Sequence, residues 1–471
     1  MSDATMERIS GAGSPTFDEE VYVAKFLRKV ELRTQGTEWF VNRGKAWNKV
    51  EAARFHPVVK RLLPRGMRSV KNIMAVIAGA QADRQLDEKE EFVSAVVMDR
   101  EKKIVWVNCE NGVLQVGENS VSLAAHGTTP HLFTACLTAE WRGEYVEEMA
   151  PLFAKVLMEA LPEKDDRDLQ HWFAGYILYP GCEHEVCLVN YGEGGTSKST
   201  ISDAVMGVIG GSPLKTVLSL AQLCAEGQGY SLPSLKRALV NMGTEVDTLD
   251  TRDSSNVKRI VSGEPIEVRS IYGEPGPMTS TVKLWFNSNT IPRFKNGTDA
   301  ELRRMRFLRF TVKVPEVRKD RKLKAKLVEE RHGIFSWMVL ALQSILKGEV
   351  CPEGGGASRQ IKDRFALAND PVKAFGDECC LFGPGEEQPK EEIWEAFNAW
   401  MDAWGFPRKS QESLFRRFYE RFPTVRAVRK RVGDKRPHWL VGVSLKPLKS
   451  EPLASEVPVV AVQPADQDGA A

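Results

Sequence analysis

No apolar run in this chain approaches the roughly 20 residues a membrane-crossing helix needs. The N-terminus, Met1-Ser-Asp-Ala-Thr-Met-Glu-Arg8, also lacks the apolar segment of a secretory signal. Its eight cysteines are scattered over 471 residues, which excludes a disulfide framework and fits a reducing cytosol. The run Cys182-Glu-His184-Glu-Val-Cys187 has a spacing that suits no common zinc set and offers no fourth ligand, so it reads as structural. Internal repeats are absent. These absences point to a soluble intracellular protein that makes no use of a membrane.

What is present is a chain with 42% hydrophobic and 27% charged residues, enough to bury a sizeable core in two or three domains. The net charge of +2 hides an uneven distribution. From Arg408 to Arg436 there are eleven Lys/Arg against three Asp/Glu, whereas Ser450 to Ala471 has four acids and no Lys or Arg. A basic module of this kind suits a polyanion. Residues 1–18 and 448–471 are polar or Pro/Ala/Val-rich and are expected to be disordered. Residues 19–165 show mostly helical spacing with small hairpins at Glu38–Trp47 and Ile104–Val116, predicting a mainly helical N-terminal domain. Strand and helix signals alternate through 166–350, as in an α/β nucleotide-binding core. Residues 351–369, opened by Pro352-Glu-Gly-Gly-Gly-Ala-Ser358, read as a linker. In 370–447, two or three helices precede the strands Val425–Val432 and His438–Leu445, the layout of a winged helix. The expected fold is thus multidomain α/β.

The most informative stretch follows the apolar run Val186-Cys-Leu-Val-Asn190. Gly192-Glu-Gly194-Gly195-Thr196-Ser197-Lys198-Ser199-Thr200 reads as strand, glycine-rich loop and helix start. Such a loop wraps backbone N–H groups around nucleotide phosphates and aims a lysine at the β/γ oxygens. Ser197 stands where the second glycine of the usual pattern belongs, which adds a Cβ close to the phosphates. An ATPase of this kind also needs an acid at a neighbouring strand end to hold Mg²⁺ and orient water. Lys236–Glu245 supplies that strand, ending in Glu245, with Asp247 two residues on. Leu284-Trp-Phe-Asn-Ser-Asn289 is a buried strand ending in an amide able to bond the γ-phosphate or the attacking water. The paired Arg303-Arg304 that follows could reach a neighbouring subunit's site as an arginine finger.

In order, these elements, with Lys258-Arg-Ile-Val-Ser-Gly263-Glu264, Arg269 and Tyr272 between them, resemble the superfamily 3 helicases. The likeness is to the phage and plasmid primase–helicase group related to the poxvirus primase–helicase. It extends to Asn108–Gly112 and Trp172–Tyr176 upstream, and to Asp370-Pro-Val-Lys-Ala-Phe375 downstream. The resemblance implies an AAA+-like core in which the Gly192–Thr200 loop binds ATP. Lys198 would hold the phosphates, Ser199 and Glu245 the Mg²⁺, Asn289 would sense hydrolysis, and Arg304 or Arg303 would serve the adjacent subunit of a ring, hexameric in the family. Lys258 and a hairpin carrying Arg269 and Tyr272 would follow single-stranded DNA in the channel. Glu245 lacks the second acid beside it that many such ATPases use.

A basic run with Phe415, Phe418 and Tyr419 as its core face adds Arg416, Arg417, Arg429, Lys430 and Arg431 as DNA contacts. The expected activity is that of an ATP-dependent DNA helicase replicating a phage or mobile element in a bacterial cytoplasm, acting on forked duplexes. About 160 residues precede the ATPase and carry no paired-acid motif for primer synthesis, so any primase would be a separate partner. The rival expectation is a DNA-binding ATPase that initiates replication without unwinding. A more distant one is a small-acceptor phosphotransferase, which would need no basic module.

Overall fold

Consecutive buried residues in four of five short strands build the sheet on which the candidate site stands. The computed structural model describes residues 16–447, except 88–89, 225–230, 245–253, 270–275, 293, 295–298, 316, 318–319, 405 and 432–436. The strands are β1 (Cys187–Gly192), β2 (Lys215–Thr216), β3 (Val240–Thr244), β4 (Lys283–Ser288) and β5 (Met305–Phe310). They lie in the order β2-β3-β4-β1-β5, every neighbouring pair parallel. Leu188, Trp285 and Leu308 pack to one face, and Val189, Phe286 and Phe307 to the other. A sheet buried on both faces needs helices on both sides. The first face is covered by α1 (Lys164–Ile177), α2 (Lys198–Ile209) and α5 (Arg331–Leu346). The second is covered by α3 (Ser255–Ser262) and α6 (Gly356–Asn369). A short helix, α4 (Asp299–Arg304), leads directly into β5. The result is a mixed α/β chain.

Two expectations are corrected. Residues 19–165, expected to be mainly helical with small hairpins, hold four α-helices and nine strands among the described residues. A three-stranded sheet spans Leu32–Val50 and a four-stranded antiparallel meander spans Val96–Ala124. Most of these strands have two to five residues, too short to impose an alternation that outweighs the helical spacing around them. The stretch 351–369, expected to be a linker, carries α6, whose Ile361 and Phe365 are buried in the core. Its glycines are held rather than loose. Gly355 N–H donates to Asp166 Oδ1 (2.7 Å) and Gly356 N–H to Glu163 Oε2 (2.8 Å), so two carboxylates satisfy the donors of a helix start. The polar ends expected at 1–18 and 448–471 lie outside the described residues but for 16–18.

The chain divides between Asn369 and Asp370 into two compact units. The second contains α7 (Pro371–Cys379), β6 (Cys380–Pro389), α8 (Lys390–Ala403), α9 (Gln411–Arg421), β7 (Arg426–Arg429) and β8 (His438–Leu445). Its strands form an antiparallel sheet in the order β6-β8-β7. Phe375, Phe397, Trp400, Leu414, Phe418 and Leu440 are buried within it. Strand β6 was missed because Gly383-Pro-Gly385-Glu-Glu387 reads as a turn, and the pairing does shift register between Phe382 and Glu387. Among the described residues no helix is long and apolar enough to cross a membrane.

Lys283 opens β4 with its side chain fully buried. Its ammonium donates to Gly181 O and Thr281 O (2.6 Å each) and lies 4.4 Å from the centre of the Tyr176 ring. Burial lowers its pKa from 10.5 to about 8. Between those values the unfolded chain holds the proton and the folded chain does not, so this residue's contribution to stability rises with pH across the window. We predict that the stability of the wild-type protein relative to Lys283→Met increases from pH 8 to 10.5 by on the order of 3 kcal/mol. Urea unfolding of both proteins across that range reads the difference, and a flat difference would refute the prediction.

Candidate functional site

The loop after β1 is confined before any ligand is considered. A Cβ at Gly192 would collide with the carbonyl oxygen of Phe310 at the end of β5, so only glycine permits the two strands to approach there. Thr196 Oγ1 donates to Glu193 O (2.8 Å), and Val314 N–H donates to Gly195 O (3.0 Å). Gly195 and Ser197 have φ of +82° and +66°. Ser197 thus keeps the left-handed backbone of the glycine it replaces, and its turn into the first residue of α2 makes a concave nest of N–H groups suited to an anion.

Lys198 reaches back into that nest. Its side chain is largely buried and donates to Gly192 O, to Glu193 O (2.6 Å) and to Asn289 Oδ1 (3.0 Å). Burial lowers its pKa, and the nearby Glu193 carboxylate offsets part of that. A desolvated ammonium held by three oxygens, with loop amides beside it, is a donor set that fits phosphate oxygens. Ser199 is exposed on the first turn of α2, where its hydroxyl could join a metal's ligands. The structure thus brings together Gly192 to Thr200 and Asn289. Glu245 lies outside the described residues, as do Asp247 and Tyr272; the strand leading to Glu245 ends at Thr244, opposite Asn287.

Sequence reasoning missed a buried relay beneath the loop. Asn190 Nδ2 donates to Asn287 Oδ1 (3.0 Å), Asn287 Nδ2 to Ser202 Oγ (2.9 Å), and Ser202 Oγ to Lys198 O (3.1 Å). All three side chains are buried. An asparagine in the same place of two apolar strands, Leu188-Val-Asn190 and Trp285-Phe-Asn287, was the available signal.

The arginines stand elsewhere. Register pairs Met305 with Cys187 and Phe310 with Gly192, so Arg303 and Arg304 precede the opposite end of β5, about 17 Å of strand from the loop. Arg304 is tied down, with its guanidinium on Glu185 (2.8 Å) and Ser262 Oγ (2.9 Å). Arg303 is exposed. Lys258 is half-buried, and its ammonium pairs with the buried Glu301 of α4 (3.1 Å). Arg269 is exposed beside a hairpin formed by Ile266–Val268 and Gly276–Met278. Cys182 sits 3.9 Å from Ile260 O and Ser280 O, and His184 packs edge-on to Trp172 and Tyr176.

In the second unit, α9 buries Leu414, Phe415 and Phe418 and exposes Arg416, with Arg417 half-buried. Arg429 is exposed and bonds His438 Nε2 (3.3 Å); Lys430 pairs with Glu387 and lies 5.2 Å from the Trp439 ring centre. Arg431 follows β7 and is exposed.

Residues 190–304 match the model of a family of unknown function, DUF5906. The match begins inside β1 and ends at Arg304, taking in the loop and Asn289. No curated protein matches the chain. Apo structures of the C-terminal region of NrS-1 superpose on it at 12% identity. One gives a TM-score of 0.54 and another 0.53, each covering 91% of this chain and 100% of that one. The chain shares that region's fold.

The strain at Ser197 gives a direct check of the loop geometry. Ser197→Gly should raise stability by roughly 1 kcal/mol by removing a side chain from left-handed backbone. Denaturant unfolding measures it, and a loss of stability would contradict the loop conformation.

Proposed function

We propose that the chain is an ATP-hydrolysing DNA helicase of a phage or mobile-element replication system, with its ATP sites between the subunits of a ring. The observation that carries this reading is Lys198, held in a glycine-rich nest at the end of β1 and bonded to Asn289 beyond the adjacent β4. That juxtaposition sets a phosphate-binding cation beside an amide able to orient a lytic water. Lys198 and the loop N–H groups bind the phosphates, and Asn289 holds the water or the γ-phosphate oxygen. Ser199 and Glu245 are the residues that would hold Mg²⁺, which supplies neutralisation of charge as the terminal bond breaks. Glu245 is also the candidate base.

The distance along β5 that separates Arg303 and Arg304 from their own loop suits a role at another subunit's site. Arg303 is the better fitted to cross an interface, since Arg304 is engaged by Glu185. The order α7-β6-α8-α9-β7-β8 with an antiparallel β6-β8-β7 sheet supports a winged-helix reading. On it, Arg416 and Arg417 of α9 face duplex DNA and Arg429 to Arg431 form the root of the wing. Phosphate contacts of this kind make binding strongly dependent on salt.

Lys198→Ala should lower ATP hydrolysis at least about a hundredfold while DNA binding by the second unit persists; hydrolysis at the wild-type rate would remove Lys198 from the site. On a forked duplex the wild-type protein should release a strand in an ATP-dependent way. DNA-stimulated hydrolysis without strand release would identify an initiator instead.

A further inference from the structure

Strand β1 has two neighbours, and the loop that follows it lies between the chain segments that leave them. On the β4 side stands Asn289. On the β5 side the chain continues past Phe310, and the Val314 N–H bond to Gly195 O (3.0 Å) lays residues 311–314 along the loop. Lys313 therefore projects beside it: its Cγ lies 4.0 Å from where a Cβ on Gly195 would be, and its Nζ lies 3.8 Å from Glu193 Oε2. A carboxylate in a loop that takes phosphates is unfavourable unless it is compensated. Lys198 and Lys313 together outnumber it; with Lys198 alone the loop would be neutral. Both partners of the Glu193–Lys313 pair are exposed, at 75% and 69%, and such pairs hold weakly. The ammonium can leave the carboxylate for a phosphate at little cost.

We propose that Lys313 is a second phosphate-binding cation of this site, gripping the nucleoside-side end of the phosphate chain opposite Lys198 and Asn289. The proposal rests on the phosphate-site reading. Strands β4 and β5 flank β1 at opposite sides, so their ends lie about 10 Å apart, a span matched by a triphosphate. Lys198 and Asn289 mark the β/γ end. Lys313 consequently meets oxygens that ADP and ATP share, and contributes to affinity for both rather than to the bond-breaking step.

Equilibrium titration of the full-length protein with fluorescent ADP and ATP analogues tests this. Lys313→Ala should weaken both nucleotides about tenfold, Lys313→Arg should restore most of the loss, and Glu193→Gln should tighten both. Lys198→Ala, run in parallel, should weaken ATP. If Lys198→Ala loses ATP while Lys313→Ala binds both nucleotides as the wild type does, the Lys313 assignment is wrong and the phosphate site stands. Weakening of ATP without ADP would overturn the placement at the nucleoside side. A wild-type protein that binds neither nucleotide overturns the phosphate site and Lys313 with it.

Discussion

The parallel register that holds β1 between β4 and β5 is the constraint on which the candidate site depends. Asn190 faces Asn287 on one side, and Gly192 faces Phe310 on the other. The second pairing is so close that no side chain fits on Gly192. Because all five strands run in one direction, their C-terminal ends share one edge of the sheet, and an open α/β sheet offers its ligand crevice along that edge. The loop, Asn289 and the 311–314 segment meet there without any of them being adjacent in sequence.

Beneath that edge the chemistry is polar where the sheet is otherwise apolar. The Asn190–Asn287–Ser202 relay ends on the carbonyl of Lys198 itself. Asn190 Oδ1 has no hydrogen-bond partner among the described residues, but the network sets its geometry through three bonds between buried groups, each of which costs desolvation to break. It therefore ties the first turn of α2 to the two central strands, and with it the direction in which Lys198 points. The lowered pKa of Lys198 reflects the same enclosure. At the opposite edge of the sheet, Arg304 on Glu185 and Lys258 on Glu301 close the structure with ion pairs. That leaves Arg303 exposed at an edge remote from its own loop.

Local patterns were legible in the sequence, and pairings between distant segments were not. The glycine spacing announced the turn at 192–200, and an amide at the end of an apolar strand announced Asn289, because each signal lies within ten residues. The position of Arg303 and Arg304 was hidden, since it follows from which strand β5 pairs with. The glycines at 354–356 looked like a flexible linker because their partners, Glu163 and Asp166, lie some 190 residues earlier. The partner of Lys258 was hidden for a similar reason: Glu301 is over 40 residues downstream. Strand β6 was obscured by its own Gly-Pro-Gly sequence, which lies in the register shift between Phe382 and Glu387, where Gly385 takes a φ of +93°.

The central claim is that one subunit's Lys198 and another's Arg303 share an ATP site. It is tested most directly by mixing two inactive proteins, Lys198→Ala and Arg303→Ala, under conditions where subunits exchange. In a randomly mixed ring about one interface in four combines an intact lysine from one parent with an intact arginine from the other. The account predicts that DNA-stimulated ATP hydrolysis returns to about a quarter of the wild-type rate. A mixture as inactive as either parent, from subunits shown to exchange, would contradict it.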